Sequence, residues 1–341
     1  MNKKYKIAVF SYWSAIYDCC TVQRLQFPLS KLQEDNKVEV DTYLTDYIDM
    51  LNNSKASFDS FISKDYDFVI LHRVDIAFSF VLKFVDKLKD SNIRIIHEID
   101  DLFYSTGTEK NDLFLSELYN KPNTSLICAT KYLSNVISKI TSNNIYVYTT
   151  RFPNMEFNPN IRFSDDLLII GTDRHLSNYE KLWNEHLNNC TVPIHFFGFK
   201  PNYVGVNNSE DYTIKHTKLI LNYFGYLLKL KQIPFNFGLV YLQNNGFNYC
   251  KSPIKIWEYA YSGHLALFSD CPVYSPILKE HLPELLVKED EWFDKIHWLR
   301  NMNKFDYRDL LVRFRMIADN FTITDSSTDY YFNILTSIKN G

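Results

Sequence analysis

Short apolar runs alternate, along the first half of the chain, with stretches whose apolar positions recur every three to four residues. The runs are residues 6–10, 38–43, 68–71, 93–96, 126–128 and 145–148. Near-continuous apolar runs of this length read as strands, and helical stretches between them imply a parallel sheet. Between two of them, Phe80, Val81, Phe84, Val85 and Leu88 share one helical face while Lys83, Lys87 and Lys89 lie elsewhere. A basic amphipathic helix can also lie on a membrane, but its place inside the alternation favours a crossover helix on the sheet. The rhythm breaks at Pro153-Asn154 and Pro159, and a second series follows at 167–170, 195–197, 237–241 and 265–268. The break predicts a domain boundary there. Residues 307–338 read as two helical segments around the β-prone Phe321-Thr322-Ile323-Thr324.

The 341 residues suffice for two Rossmann-sized domains, and 46% hydrophobic residues, with 24 Tyr and 26 Phe, supply two cores. The formal charge of −3 offers no basic footprint, which argues against nucleic acid as a partner. No window approaches the roughly 18 apolar residues of a membrane span, and the start has only a short apolar run after Lys3, Lys4 and Lys6. Neither a span nor a signal peptide is expected. The six cysteines form no C-x-x-C pair and have no histidine at zinc spacing, which suits a reducing cytoplasm.

Two common nucleotide motifs are missing. A dinucleotide pyrophosphate needs glycines in the first βα turn, and Phe10-Ser11-Tyr12-Trp13-Ser14 has none, which disfavours a dehydrogenase. Lys251-Ser252 superficially suggests a P-loop, but Cys250 replaces the glycine before the lysine and Gly246 stands one position too close.

The segment from Asn248 to Gly263 carries more chemistry. Ser252 is a favourable N-cap residue, Pro253 suits the first helical position, and Gly263 marks the helix end. A helix start presents free N–H groups and partial positive charge, a site for a diphosphate. Lys251 precedes that start, and Lys255 and Glu258 share one face, so two cations could hold phosphates while the carboxylate accepts from a ribose diol. The alternative is an exposed Lys255–Glu258 ion pair on a capped helix without a ligand.

Phe247-Asn248, Lys251-Ser252, Lys255, Glu258-Tyr259-Ala260, Gly263 and Ser269-Asp270 resemble the donor-site signature of glycosyltransferases with two Rossmann-like domains, the GT-B fold. The likeness is to a subgroup of bacterial surface-polysaccharide enzymes, where the pattern runs F-N-x-x-K-S-x-x-K-x-x-E-Y-A-x-x-G. It implies two Rossmann-like domains facing a central cleft: an acceptor-side domain at 1–156, a donor domain at 157–320, and a tail helix at 321–341 crossing back to the first domain. It implies a nucleotide-diphosphate sugar as donor substrate, no further cofactor, and a carbohydrate or glycan acceptor. A cytoplasmic enzyme is expected, with peripheral contact at the inner face of the membrane, or with an assembly partner, left open. A non-catalytic relative that keeps nucleotide or glycan binding is the other reading. Wider retaining families carry a second Glu eight residues before Glu258, where this chain has Cys250, so the stereochemical outcome stays open.

Elsewhere the likeness is looser. Gly171-Thr172 with His175 resembles the glycine-rich turn that opens the donor domain, although a glycine after a strand also makes ordinary turns. Tyr223 either packs in the core or lines a base pocket. Arg24 and Arg73 resemble positions that meet acceptor or phosphate, against the alternatives of solvated charges or ion pairs between domains. His97-Glu98-Ile99-Asp100-Asp101 is expected as a loop at the carboxyl end of the 93–96 strand, where ligands of parallel sheets gather. If the reaction inverts, Asp100 is the first candidate base, with Asp101 and His97 behind it. Alternatively both aspartates cap the next helix. Adjacent aspartates point apart in an extended loop, and no metal site is predicted.

Overall fold

A computed structural model of the chain describes residues 4–11, 19–73, 78–102, 109–155, 166–171, 175–187, 192–198, 214–218, 220, 222–233 and 237–341. The chain divides into two compact units. One comprises residues 1–153, 250–252 and 323–341, and the other residues 154–249 and 253–322.

The first unit holds β1 (Tyr5–Ser11), β2 (Val38–Leu44), β3 (Phe68–His72), β4 (Arg94–Ile99), β5 (Thr124–Cys128) and β6 (Ile145–Val147) in the order β2-β1-β3-β4-β5-β6. Every pair is parallel, and the strand order reverses between β1 and β3. Both faces are covered. Ala8, Phe10, Val69, Leu71, Ile95 and Ile99 pack with Val81, Phe84, Val85 and Leu88 of the Phe78–Leu88 helix. On the other face, Ile7, Val9, Phe68, Ile70 and Ile96 meet Leu25, Leu29 and Leu32, together with Tyr331, Ile334, Leu335 and Ile338 of the Asp325–Asn340 helix. Each Val, Leu, Ile or Phe among them stabilises by about 1.5–3 kcal/mol on burial. The Asp325–Asn340 helix starts at a capping box: Ser327 N–H donates to Thr324 Oγ1, and Thr324 N–H donates to Ser327 Oγ.

The second unit repeats the plan with β7 (Leu167–Ile170), β8 (Ile194–Gly198), β9 (Ile214–Lys218), β10 (Phe237–Val240), β11 (Leu265–Ser269) and β12 (Leu286–Val287), in the order β12-β11-β10-β7-β8-β9. It too is all parallel, with its reversal between β7 and β10. Each unit is therefore a doubly wound α/β domain, as the alternation predicted.

Three details differ from the sequence expectation. β9 and β12 were not anticipated: Ile214-Lys215-His216-Thr217-Lys218 is polar because it is an edge strand, and β12 has only two residues. β4 runs on through His97, Glu98 and Ile99, because its pairing continues to His72↔Glu98 and Ile99↔Cys128. The expected loop thus starts only at Asp100. Finally, Pro253 rather than Ser252 occupies the N-cap of the Ile254–Ser262 helix, and no side chain caps it. Among the described residues, no helix is long and apolar enough to cross a membrane.

Candidate functional site

In the second unit, the Ile254–Ser262 helix is held by two glycines and a tyrosine. Gly263, at φ 83°, takes the left-handed turn that ends it, and its N–H and that of His264 return to the carbonyls of Ala260 and Tyr259. Tyr259 lies directly over Gly238 of β10, where an added Cβ would come within 2.0 Å of the ring. Its hydroxyl donates to the Leu168 carbonyl of β7 at 3.1 Å. Those contacts bring the helix down at the strand reversal, where ligands of such sheets bind.

One turn along, Glu258 is buried and accepts two hydrogen bonds on the same oxygen. Lys255 Nζ lies 2.6 Å and Tyr226 Oη 2.9 Å from Glu258 Oε2. Its Oε1 carries no hydrogen bond among the described residues. Lys255 also sits over the Tyr226 ring at 5.8 Å. Burial, and then the adjacent Glu258 charge, raise the Tyr226 hydroxyl well above its ordinary value, so it stays a donor. The pair is therefore not the exposed one weighed from sequence. Tyr226, in the Tyr223–Gln232 helix, was missed because nothing local marks it.

Cys250, Lys251 and Ser252, by contrast, belong to the first unit. Cys250 is buried in its core beside Cys128, and burial pushes its thiol up to about 12. Thr130 Oγ1 donates to the Cys250 carbonyl at 3.5 Å, and Thr150 Oγ1 to Ser252 Oγ at 3.3 Å. Lys251 is half-buried in that segment.

At the carboxyl ends of β3 and β4, the first unit gathers charges. Alternation puts Glu98 and His97 on opposite sides of β4, and Asp100 follows just beyond the strand's end. Arg24 is buried; its Nε donates to Glu98 Oε1 at 2.7 Å, its Nη2 to the same oxygen, and its Nη1 to the Tyr148 carbonyl. Burial opposes the guanidinium charge, but Glu98 outweighs it and the pKa is raised. Removing one member of such a buried pair costs about 3–5 kcal/mol. Arg24 thus forms an ion pair inside one unit, an arrangement the sequence did not suggest. His72 Nε2 lies 3.4 Å from Glu98 Oε2 and 3.8 Å from Asp100 Oδ1, and its Nδ1 is 3.1 Å from Thr21 Oγ1.

Arg73 follows β3 with φ 53°, left-handed backbone that costs a branched or long residue about 1–3 kcal/mol. Its Nε and Nη2 donate to the two oxygens of Asp100 at 3.0 and 2.6 Å. Burial would raise the Asp100 pKa, but Arg73 and His72 hold it well below the usual carboxylate range. Asp101 differs: burial and then the Asp100 charge push it up to about 6, against Lys251, the Leu102 N–H and Arg73. Its Oδ1 accepts from Leu102 N–H at 2.8 Å. His97 is buried against the Tyr119 ring at 5.2 Å, and burial lowers its pKa to about 3, so it is neutral at ordinary pH.

The remaining candidates fall as follows. Asn248 is buried, with Nδ2 donating to Asn178 Oδ1 and the Gln243 carbonyl. Tyr223 is buried and stacks on Tyr226 at 6.0 Å. Gly171 follows β7 without a left-handed φ, and its N–H donates to the Phe197 carbonyl. His175 precedes the Leu176–Leu182 helix and gives it no side-chain cap. Thr172 lies outside the described residues. Ser269 Oγ accepts from Leu242 N–H at 2.9 Å, and Asp270, Asn244 and Trp292 line a cavity of about 110 Å³ beyond β10, β11 and β12. Among the described residues, no three His, Cys, Asp or Glu are grouped to hold a metal ion.

No family model matches the chain, and no curated protein does. Solved structures do. T4 phage BGT in complex with its UDP-glucose substrate has a TM-score of 0.64 at 14% identity, covering 98% of this chain and 100% of that one. The same phage protein is also known with UDP and Mn2+. A glycosyltransferase from Rickettsia africae has a TM-score of 0.64 at 11% identity, covering 98% of each chain. WaaG, a glycosyltransferase involved in lipopolysaccharide biosynthesis, has a TM-score of 0.58 at 12% identity, covering 97% of this chain and 99% of that one. At such identities the likeness shows the fold, the two-Rossmann-domain GT-B fold that the donor-site pattern implied.

Proposed function

We propose that this chain is a glycosyltransferase that moves a sugar from a nucleoside-diphosphate donor to a carbohydrate hydroxyl, in the assembly of a bacterial surface glycan. The observation that carries the reading is Glu258, buried one turn into the helix with Lys255 and Tyr226 on one oxygen and no hydrogen bond to its other oxygen among the described residues. A carboxylate oxygen left over in this way suits a ribose diol, because a hydrogen bond to a charged acceptor contributes about 1.5–3 kcal/mol. Lys255 supplies charge for the diphosphate, with the helix N-terminus. The names of the structural neighbours add weight: BGT binds UDP-glucose, and WaaG acts in lipopolysaccharide biosynthesis.

In this reading Lys255 and the helix N-terminus, rather than a divalent cation, neutralise the leaving diphosphate, so turnover is expected to survive a chelator. Metal-reversible loss of activity would refute that part alone. A thermal-shift screen of UDP, GDP, UDP-glucose and related nucleotide sugars tests the whole. A donor at a hundred times its dissociation constant stabilises by about 2.7 kcal/mol. Stabilisation followed by donor turnover supports a transferase, binding without turnover a non-catalytic partner protein, and no stabilisation by any nucleotide removes the reading.

A further inference from the structure

We infer that an open groove on the second unit, at the opposite end of its sheet from the Lys255 helix start, is a binding site for a neutral oligosaccharide. The inference goes beyond the donor-site reading and stands without it.

The groove, of about 540 Å³, lies between the Trp292–Arg300 helix, the Lys304–Asp319 helix and the turn at Pro283–Leu285. That volume is within the roughly 300–1,000 Å³ of ordinary ligand sites. Its place in the fold is fixed by Tyr307, whose hydroxyl accepts from the N–H of Leu265, the first residue of β11, at 3.3 Å. The start of the Lys304–Asp319 helix therefore stands at the amino end of that strand. The Ile254–Ser262 helix starts beyond the carboxyl end of β10, and only its last turn returns to β11.

The walls are tied together. Lys295 Nζ donates to the Glu284 carbonyl at 3.1 Å and lies 5.2 Å from the centre of the Trp298 ring. Arg313 Nη1 donates to Glu284 Oε1 at 3.0 Å, and its Nη2 to the His281 carbonyl at 2.6 Å. Asn303 Nδ2 donates to Asp306 Oδ2 at 2.6 Å. A ligand thus meets side chains that are already held, which lowers the entropic cost of binding.

What these walls present suits a pyranose. Trp298 is 39% exposed and lines the groove, offering a flat apolar surface for the C–H face of a sugar ring. Around it, Asp309 forms no hydrogen bond or ion pair among the described residues, and Glu284 and Asp306 each keep one oxygen without a hydrogen bond among them. Those oxygens are acceptors for ring hydroxyls, which donate in the plane of the sugar. Three carboxylates against one guanidinium in the lining repel uronates and phosphates, so the glycan is a neutral one. Among the described residues these carboxylates are not grouped to hold a metal ion.

The test uses the full chain with UDP present throughout, and reads binding by saturation-transfer NMR and titration calorimetry. The probes are tetrasaccharides of glucose, mannose, galactose and N-acetylglucosamine, a uronate tetrasaccharide, and tetralysine. At least one neutral tetrasaccharide is expected to bind with a Kd of about 1 mM or tighter, and the uronate at least about tenfold more weakly. Trp298→Ala should weaken that sugar by at least about tenfold and Asp309→Asn by about threefold or more, with UDP affinity unchanged in both. Asp309 is exposed and unpaired, so its variant reports on the groove even if Trp298→Ala does not fold. No binding of any neutral tetrasaccharide, tighter binding of the uronate, or sugar binding untouched by the substitutions overturns the inference. Preference for tetralysine overturns it too, and marks the groove as an acidic surface for protein. A chain that binds the sugar through these residues but binds no nucleotide fails the transferase reading alone.

Discussion

Lys255 Nζ and Glu258 Oε2 lie 2.6 Å apart across one turn of the Ile254–Ser262 helix, with the carboxylate only 2% exposed. In the proposed reading, this buried acceptor and partly exposed cation hold ribose and phosphate side by side. It also makes the two residues interdependent, since removing either leaves the other poorly satisfied.

Lys255→Ala is therefore expected to weaken UDP binding by about 1.5–3 kcal/mol, roughly 10- to 150-fold. Titration calorimetry checks this, and unchanged affinity would take the helix out of the donor site.

Tyr226 has a supporting role. Tyr226→Phe deletes the hydroxyl that donates to Glu258 at 2.9 Å and should lower stability by about 1.5–3 kcal/mol, while weakening UDP less than Glu258→Gln does. Urea unfolding and calorimetry on the same preparations separate the effects. If Tyr226→Phe impaired binding more than Glu258→Gln, the hydroxyl would be a ligand contact in its own right.

The neighbouring aspartates should move stability in opposite directions with pH. Asp101 has a folded pKa of about 6, above its ordinary 3.8, so the favourable state is the protonated one, and that stability is lost as pH rises through 6. Asp100 has a depressed folded pKa, so its contribution is present above 3.8 and lost as pH falls below it. Asp101→Asn should thus match the wild type near pH 4 and exceed it at pH 8 by up to roughly 3 kcal/mol, whereas Asp100→Asn should be weaker at pH 8 and approach the wild type in acid. Urea midpoints at the two pH values measure both. A pH-independent difference for Asp101→Asn would contradict the raised pKa.

Gly238→Ala should destabilise the second unit, because the new Cβ would lie 2.0 Å from the Tyr259 ring and that ring is pinned by its bond to Leu168. Overpacking of this kind costs about 1–3 kcal/mol or more. The drop in melting temperature should be largely relieved in Gly238→Ala/Tyr259→Leu, which makes room, and no relief there would mean that glycine serves some other purpose at β10.

Much of the fold was legible because it depends on local spacing. Among the described residues ten of twelve strands announced themselves, most of them as the near-continuous apolar runs that buried parallel strands require, while polar β9 and two-residue β12 did not. The Ile254–Ser262 helix was visible in the Pro253 and Gly263 that bracket it, and Lys255 and Glu258 were visible because a three-residue separation in a helix guarantees proximity. The N-cap was misjudged by one residue, since Ser252 is drawn instead into a hydrogen bond with Thr150.

By itself, then, the chain's sequence determined two doubly wound sheets and a helix bearing a cation and a carboxylate on one face. Tertiary structure alone decided what surrounds each charge. Arg24 and Glu98 are 74 positions apart, and Tyr226 and Glu258 are 32 apart. No local pattern reports such pairs. Likewise Asp100 and Asp101 are identical as letters, and become a clamped anion and a raised-pKa carboxyl only because β3 delivers Arg73 to one of them. Ionisation follows from burial and neighbouring charge, both properties of the folded environment that spacing along a chain does not encode.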